Sequence, residues 1–227
     1  FIGAKDGVIA NEDSSGLFRN FENVRTIYFN DNFDTSNVIS MSTMFNNCFN
    51  LERLDLSGFD TSRVTNMYCM IGGAGGNCTS PGCMGKLEEI TFGEKFLTSN
   101  VENMEGMFVN LSNVKRLDLS NFDFGKVRTT NNMFSQNFSL EEILFGNMGS
   151  TSLLKNMYSM FYRCKKLESL NLCAFDTSGV TNMQNMFYET FSLTGVYVGD
   201  GWTMANADTT NMFSGSNISS VTTGQCS

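Results

Sequence analysis

The sequence predicts an α/β repeat solenoid: a right-handed stack of about seven to eight coils, each a short parallel β-strand followed by a short helix. Three observations carry this. The dipeptide Met-Phe recurs at Met44-Phe45, Met107-Phe108, Met133-Phe134, Met160-Phe161, Met186-Phe187 and Met212-Phe213, with Met70-Ile71 filling the gap. Successive methionines stand 26, 37, 26, 27, 26 and 26 residues apart, so one unit is copied every 26 or 27 residues with a single insertion, and a period of that size marks a stacked array. Each copy also contains two apolar periodicities, one of two residues and one of three to four.

The elements follow in order within a copy. Leu54-Asp55-Leu56 alternates as a half-buried strand does. Phe59-Asp60-Thr61-Ser62 offers side-chain oxygens that suit the start of a helix, and Ser99 with Glu102 has capping-box spacing. Val64, Met67, Met70 and Ile71 then fall at i, i+3, i+6 and i+7, which predicts a short helix with one apolar stripe. The same stripe returns as Val38, Met41, Met44, Phe45 and as Leu154, Met157, Met160, Phe161. One copy cannot bury both stripes alone, so the 227 residues are read as a single solenoid domain.

Its boundaries follow from the period. A degenerate copy occupies 8–23, with Val8-Ile9 as a possible first strand. Seven clear repeats fill 24–213, beginning near Val24, Leu51, Leu87, Val114, Leu140, Leu167 and Leu193. A tail covers 214–227 and looks a poor cap for an exposed strand edge. The insertion, 72–85, holds Cys78, Cys83, a run of glycine and the one proline. It reads either as a tolerated surface insertion or as a binding loop on a rigid scaffold.

Composition narrows the chemistry. Apolar residues make up 41% and charged ones 17%, which excludes a disordered chain. No run approaches the roughly 18 apolar residues of a spanning helix, so no direct membrane insertion is expected. With 15 basic and 23 acidic side chains the net charge is −8, which argues against nucleic acid and favours neutral, basic or carbohydrate-like partners. Histidine is absent, removing the commonest general base and zinc nitrogen ligand. No phosphate loop or carboxylate pair stands apart from the repeat, so neither an enzyme, a metal nor a cofactor is expected. Of seven cysteines, Cys48 and Cys164 share a repeat position and read as core. Cys78 and Cys83 are a disulfide candidate in an exported chain, and Cys226 reads as the unpaired thiol.

The run Leu-Asp-Leu-Ser-x-Phe-Asp-Thr-Ser-x-Val-Thr-Asn-Met-x-x-Met, seen at 54–70, resembles the BspA-like leucine-rich-repeat proteins of bacterial cell surfaces. The resemblance implies a leucine-rich-repeat-like fold. It also implies an extracellular or surface-anchored protein, its signal peptide and anchor outside the stretch shown, that adheres to host or matrix proteins or glycans. Where leucine-rich repeats carry a buried asparagine, this chain has Phe59, Phe122 and Phe175, so an aromatic stack is expected there.

The strand alternation also nominates a binding face. Tyr28, Arg53, Asp55, Glu89, Arg116, Asp118, Glu142 and Tyr197 fall at outward positions. Arg53, Glu89, Arg116 and Glu142 alternate in sign down successive strands, as a register-setting charge ladder or as a recognition surface. The rival reading is a structural protein whose copies self-associate end to end, since solenoid ends expose unpaired edges.

Overall fold

The structure is a computed structural model that describes residues 7–29, 33–72 and 85–226. Those residues form a β-solenoid of about eight turns. Nine short strands lie along it: β1 (Val8–Ile9), β2 (Phe33–Asp34), β3 (Arg53–Leu56), β4 (Glu89–Phe92), β5 (Arg116–Leu119), β6 (Glu142–Phe145), β7 (Ser169–Leu172), β8 (Gly195–Val198) and β9 (Thr222–Thr223). All pairings are parallel, and they join β1 to β2, β3 to β4, β5 to β6, and β7 to β8 to β9. The sheet is thus a series of short ladders. Val8-Ile9 pairs beside the Phe33-Asp34 turn, while the strand column itself begins at Thr26, bridged to Arg53.

No helix is present among the described residues, which corrects the expected strand-plus-helix coil. The second half of each coil is a chain of tight turns. In the copy at 41–47, Met44 N–H returns to Met41 C=O and Asn46 N–H to Thr43 C=O. The alternate groups, on Met41, Thr43 and Phe45, donate instead to Asn66, Tyr68 and Met70 of the next coil. Thr43 and Asn47 have φ of 54° and 61°, and two such residues recur in most coils, for example Asn132 with Gln136 and Ser159 with Arg163. A left-handed residue every fourth position stops a helix from propagating. The apolar spacing survives because successive three-residue turns put Val64, Met67 and Met70 on one side as a helix would, and all three are fully buried.

This turn column is the most continuous feature of the molecule. Asp13, Ser40, Asn66, Asn103, Thr129, Asn156, Asn182 and Asp208 each bridge in parallel to the next. At each rung the side-chain oxygen accepts the N–H two residues on, as Asn66 does from Tyr68 at 3.0 Å and Asn182 from Gln184 at 3.0 Å. A local bond of this kind fixes the turn.

Inside, phenylalanines stack from coil to coil. Phe108, Phe134, Phe161, Phe187 and Phe213 form one column with centroids 5.4 to 5.7 Å apart and ring planes within 13°. Phe18 and Phe45 begin the same column before Ile71 interrupts it. Phe59, Phe122 and Phe175 are buried where the aromatic stack was expected. The methionine stripe is core throughout.

The threonine of Phe-Asp-Thr-Ser, expected to cap a helix, is buried and clamps the next coil. Thr35 Oγ1 donates to the Asp60 carbonyl and accepts the Asp60 N–H, and Thr151 does the same to Asp176. One backbone donor and one acceptor are satisfied by a single hydroxyl.

The coils close over the insertion as though it were absent: Arg53 pairs with Glu89, and Asn66 bridges to Asn103. Residues 73–84, and with them the Cys78–Cys83 candidate, lie outside the described residues. Cys226 is not the unpaired thiol expected. It is bonded to Cys173, with Cα atoms 5.7 Å apart, because the tail turns back to lay β9 against β8. That strand and bridge make the tail a cap for the sheet column.

Candidate binding face

The strand alternation places charged side chains on solvent because their neighbours fill the core. In β3 and β5, Arg-Leu-Asp-Leu reads exposed, buried, exposed, buried. Parallel register then sets Arg116 beside Glu142 and Arg53 beside Glu89. Arg116 Nε donates to Glu142 Oε2 at 2.9 Å, and its Nη2 reaches Asp118 Oδ2 at 3.2 Å. Arg53 Nε stands 3.7 Å from Glu89 Oε2.

Asp55 and Asp118 each accept the N–H of the serine two residues on, Ser57 at 2.9 Å and Ser120 at 3.1 Å. Those serines, by side chain and backbone, hold both carboxyls below the usual aspartate range, and Arg116 adds to the effect on Asp118. The face therefore keeps fixed anions beside fixed cations across neutral pH.

The eight nominated residues form two clusters and two outliers. Arg53, Asp55 and Glu89 make one cluster and Arg116, Asp118 and Glu142 the other. No ion pair joins Glu89 to Arg116 among the described residues, so the four-rung charge ladder divides into two pairs. Tyr28 is 83% exposed near one end. Tyr197, near the other, is half-buried between Asn171 and Thr222.

Sequence reasoning passed over a second surface beside the turns of coils five to seven. Tyr162 and Tyr188 stack with centroids 5.2 Å apart. Arg163 lies 5.0 Å over Tyr162 and makes a 2.9 Å bond to Glu189, which raises its already high pKa. Lys165 sits between Phe138 and Phe191, 5.4 and 5.6 Å from their ring centres. The signal was available: Tyr162 to Tyr188 and Arg163 to Glu189 are both offsets of 26.

Among the described residues no group of three or more His, Cys, Asp or Glu side chains is arranged to hold a metal. No helix of the described residues is long and apolar enough to cross a membrane. Fold and face together define a parallel β-solenoid with a mixed-charge strand surface. The chain belongs to the family described as "Mycoplasma protein of unknown function, DUF285", whose pattern matches residues 12–77, 86–147 and 102–223. No curated protein and no solved structure matches it.

Proposed function

We propose that this chain is an extracellular binding module, of the surface adhesion type that the BspA-like resemblance implies, and that it engages a protein or glycan through its strand face. The observation that carries this reading is the paired-charge surface on β3–β6. Arg53–Glu89 and Arg116–Glu142 stand on paired strands, and the inward leucines of the two arginine strands, β3 and β5, are buried. Exposed ion pairs add little stability, about 0 to 1 kcal/mol each, so they are free to exchange partners with a ligand. The Cys173–Cys226 bridge supports an oxidising compartment.

The test is a binding screen against matrix proteins, host cell surfaces and glycans. It compares the wild type with Arg116→Ala/Glu142→Ala, Arg53→Ala/Glu89→Ala, and a variant lacking residues 72–85. Loss of binding in the face variants, with unchanged thermal unfolding, supports the strand face. Loss only on deletion moves the site to the loop, and no binding by the wild type to any target sinks the reading.

A further inference from the structure

The second surface, beside the turns that lead into β7 and β8, combines exposed ring faces with positive charge that the chain leaves unpaired. Lys165 Nζ lies 5.4 Å from the centre of the Phe138 ring and 5.6 Å from that of Phe191. The three residues are 27 and 26 positions apart, so they hold one place on three successive coils and the lysine is the middle rung. Phe191 is 51% exposed. Lys166, the next residue, is exposed as well. Among the described residues neither ammonium has an ion pair or a hydrogen-bond acceptor. Glu141 and Glu168, exposed on the way into β6 and β7, pair with neither, and Glu189 is taken by Arg163.

This placement suits a particular ligand chemistry. Two rings beside an ammonium hold it by their electron-rich faces and displace part of its water. A cation so placed has less hydration to surrender on meeting an anion, and it attracts that anion more strongly than in open solvent. In a chain of net charge −8, two adjacent unpaired lysines reverse the local sign and draw anions in. The exposed phenyl ring of Phe191 adds an apolar plane beside the charge. Three residues earlier on the same two coils, at most about 11 Å along the chain, stand the stacked Tyr162 and Tyr188. Both are half-buried, and among the described residues their hydroxyls have no hydrogen-bond partner. Each can donate to and accept from a ligand hydroxyl.

We propose that this surface binds a carboxylated sugar. The carboxylate meets Lys165 and Lys166, the C–H face of the sugar ring lies on Phe191, and Tyr162 and Tyr188 bond the hydroxyls of an adjoining sugar. An acidic peptide fits less well, because the backbone here offers no strand edge to join: Arg163 N–H donates to the Tyr188 carbonyl and Glu189 N–H to that of Ser214. The site lies off the charged strand face and does not rest on the reading given to that face.

The experiment is a titration of the 227-residue chain followed by amide NMR shifts and by affinity. The probes are sialyllactose, a hyaluronan tetrasaccharide, lactose and tetraglutamate. The proteins are wild type, Lys165→Met, Phe191→Ala and Arg116→Ala/Glu142→Ala, each checked for unchanged thermal unfolding. At least one acidic saccharide is expected to shift residues 162–166 and 188–192, and which one does so tells a sialic acid from a uronic acid. Lactose and tetraglutamate are expected to bind far more weakly. Lys165→Met, which keeps the stem and removes the charge, should weaken the acidic saccharide at least about tenfold. Phe191→Ala should weaken it several-fold, and the strand-face variant should bind it as the wild type does. The proposal is overturned if neither acidic saccharide binds, or if lactose or tetraglutamate binds as tightly. It is equally overturned if Lys165→Met keeps the wild-type affinity, or if only the strand-face variant loses it. Because the strand-face variant is read in the same titration, failure of this site is separate from failure of that one.

Discussion

Thr98 grips Asp123 twice: its Oγ1 donates to the Asp123 carbonyl at 2.9 Å and accepts the Asp123 N–H at 2.7 Å. Thr98 is 1% exposed, so water cannot replace the hydroxyl if it is removed. Thr98→Val keeps the volume but leaves a donor and an acceptor unpaired. The expected loss is about 1 to 3 kcal/mol, read as a lower urea midpoint with an unchanged slope. Ser62→Ala, beside the equivalent Thr61 but only half-buried, is expected to change the midpoint far less.

That clamp shows where sequence reasoning reached and where it stopped. The 26-residue period and the two apolar stripes made the stack, its core and its outward strand positions legible. The turn chain was not, because Val64, Met67 and Met70 satisfy a helix and a series of three-residue turns equally well. What separates the two is the left-handed backbone at Thr43, Cys69, Ser159 and Glu189, residue types that do not advertise it. The breaks between β4 and β5 and between β6 and β7 leave no trace in the strand pattern. Cys173 and Cys226 lie 53 residues apart, and only the returning tail brings them together.

Three glycines that follow strands set how closely coils approach. A Cβ on Gly146 would be driven into the Ser120 carbonyl, and Gly93 and Gly199 stand in the same relation to Ser57 and Cys173. Because the obstacle is backbone, it cannot swing aside. Gly146→Ala is expected to cost at least the 1 to 3 kcal/mol typical of overpacking. Gly58→Ala, with nothing within 4 Å of the new methyl, is expected to be near neutral. Thermal unfolding of the two variants side by side checks the contrast, and equal losses would refute it.

The buried thiols make the fold sensitive to alkali. Burial pushes Cys48 up to about 11 and Cys69 and Cys164 up to about 12. Because folding raises these values above the unfolded ones, the stabilisation is fully present below the ordinary thiol range and is lost as pH rises through the folded values. Stability is therefore expected to fall between about pH 9 and pH 11 to 12. The same three thiols should resist a disulfide reagent at pH 8 in the native state and react at once in denaturant. Fast native labelling of Cys164 would contradict its burial.

The Cys173–Cys226 bridge holds the end of the stack and not its middle. In a repeat array each coil contacts only its neighbours, so a lesion at one end stays local. β9 has two residues and one neighbouring strand, and besides the bridge the tail is held by the partly buried Ile218 and Val221 against the core. Closing a loop of this size is worth about 4 kcal/mol in the chain-entropy account, with measured values commonly 2 to 4. Reduction, or Cys173→Ser/Cys226→Ser, is expected to abolish amide protection at Val198, Thr222 and Thr223 while leaving Leu117 and Ile143 protected. Hydrogen exchange followed residue by residue reads both ends in one experiment. A uniform loss of protection from β3 to β8 would mean that the coils unfold as one cooperative unit and that the cap governs them all.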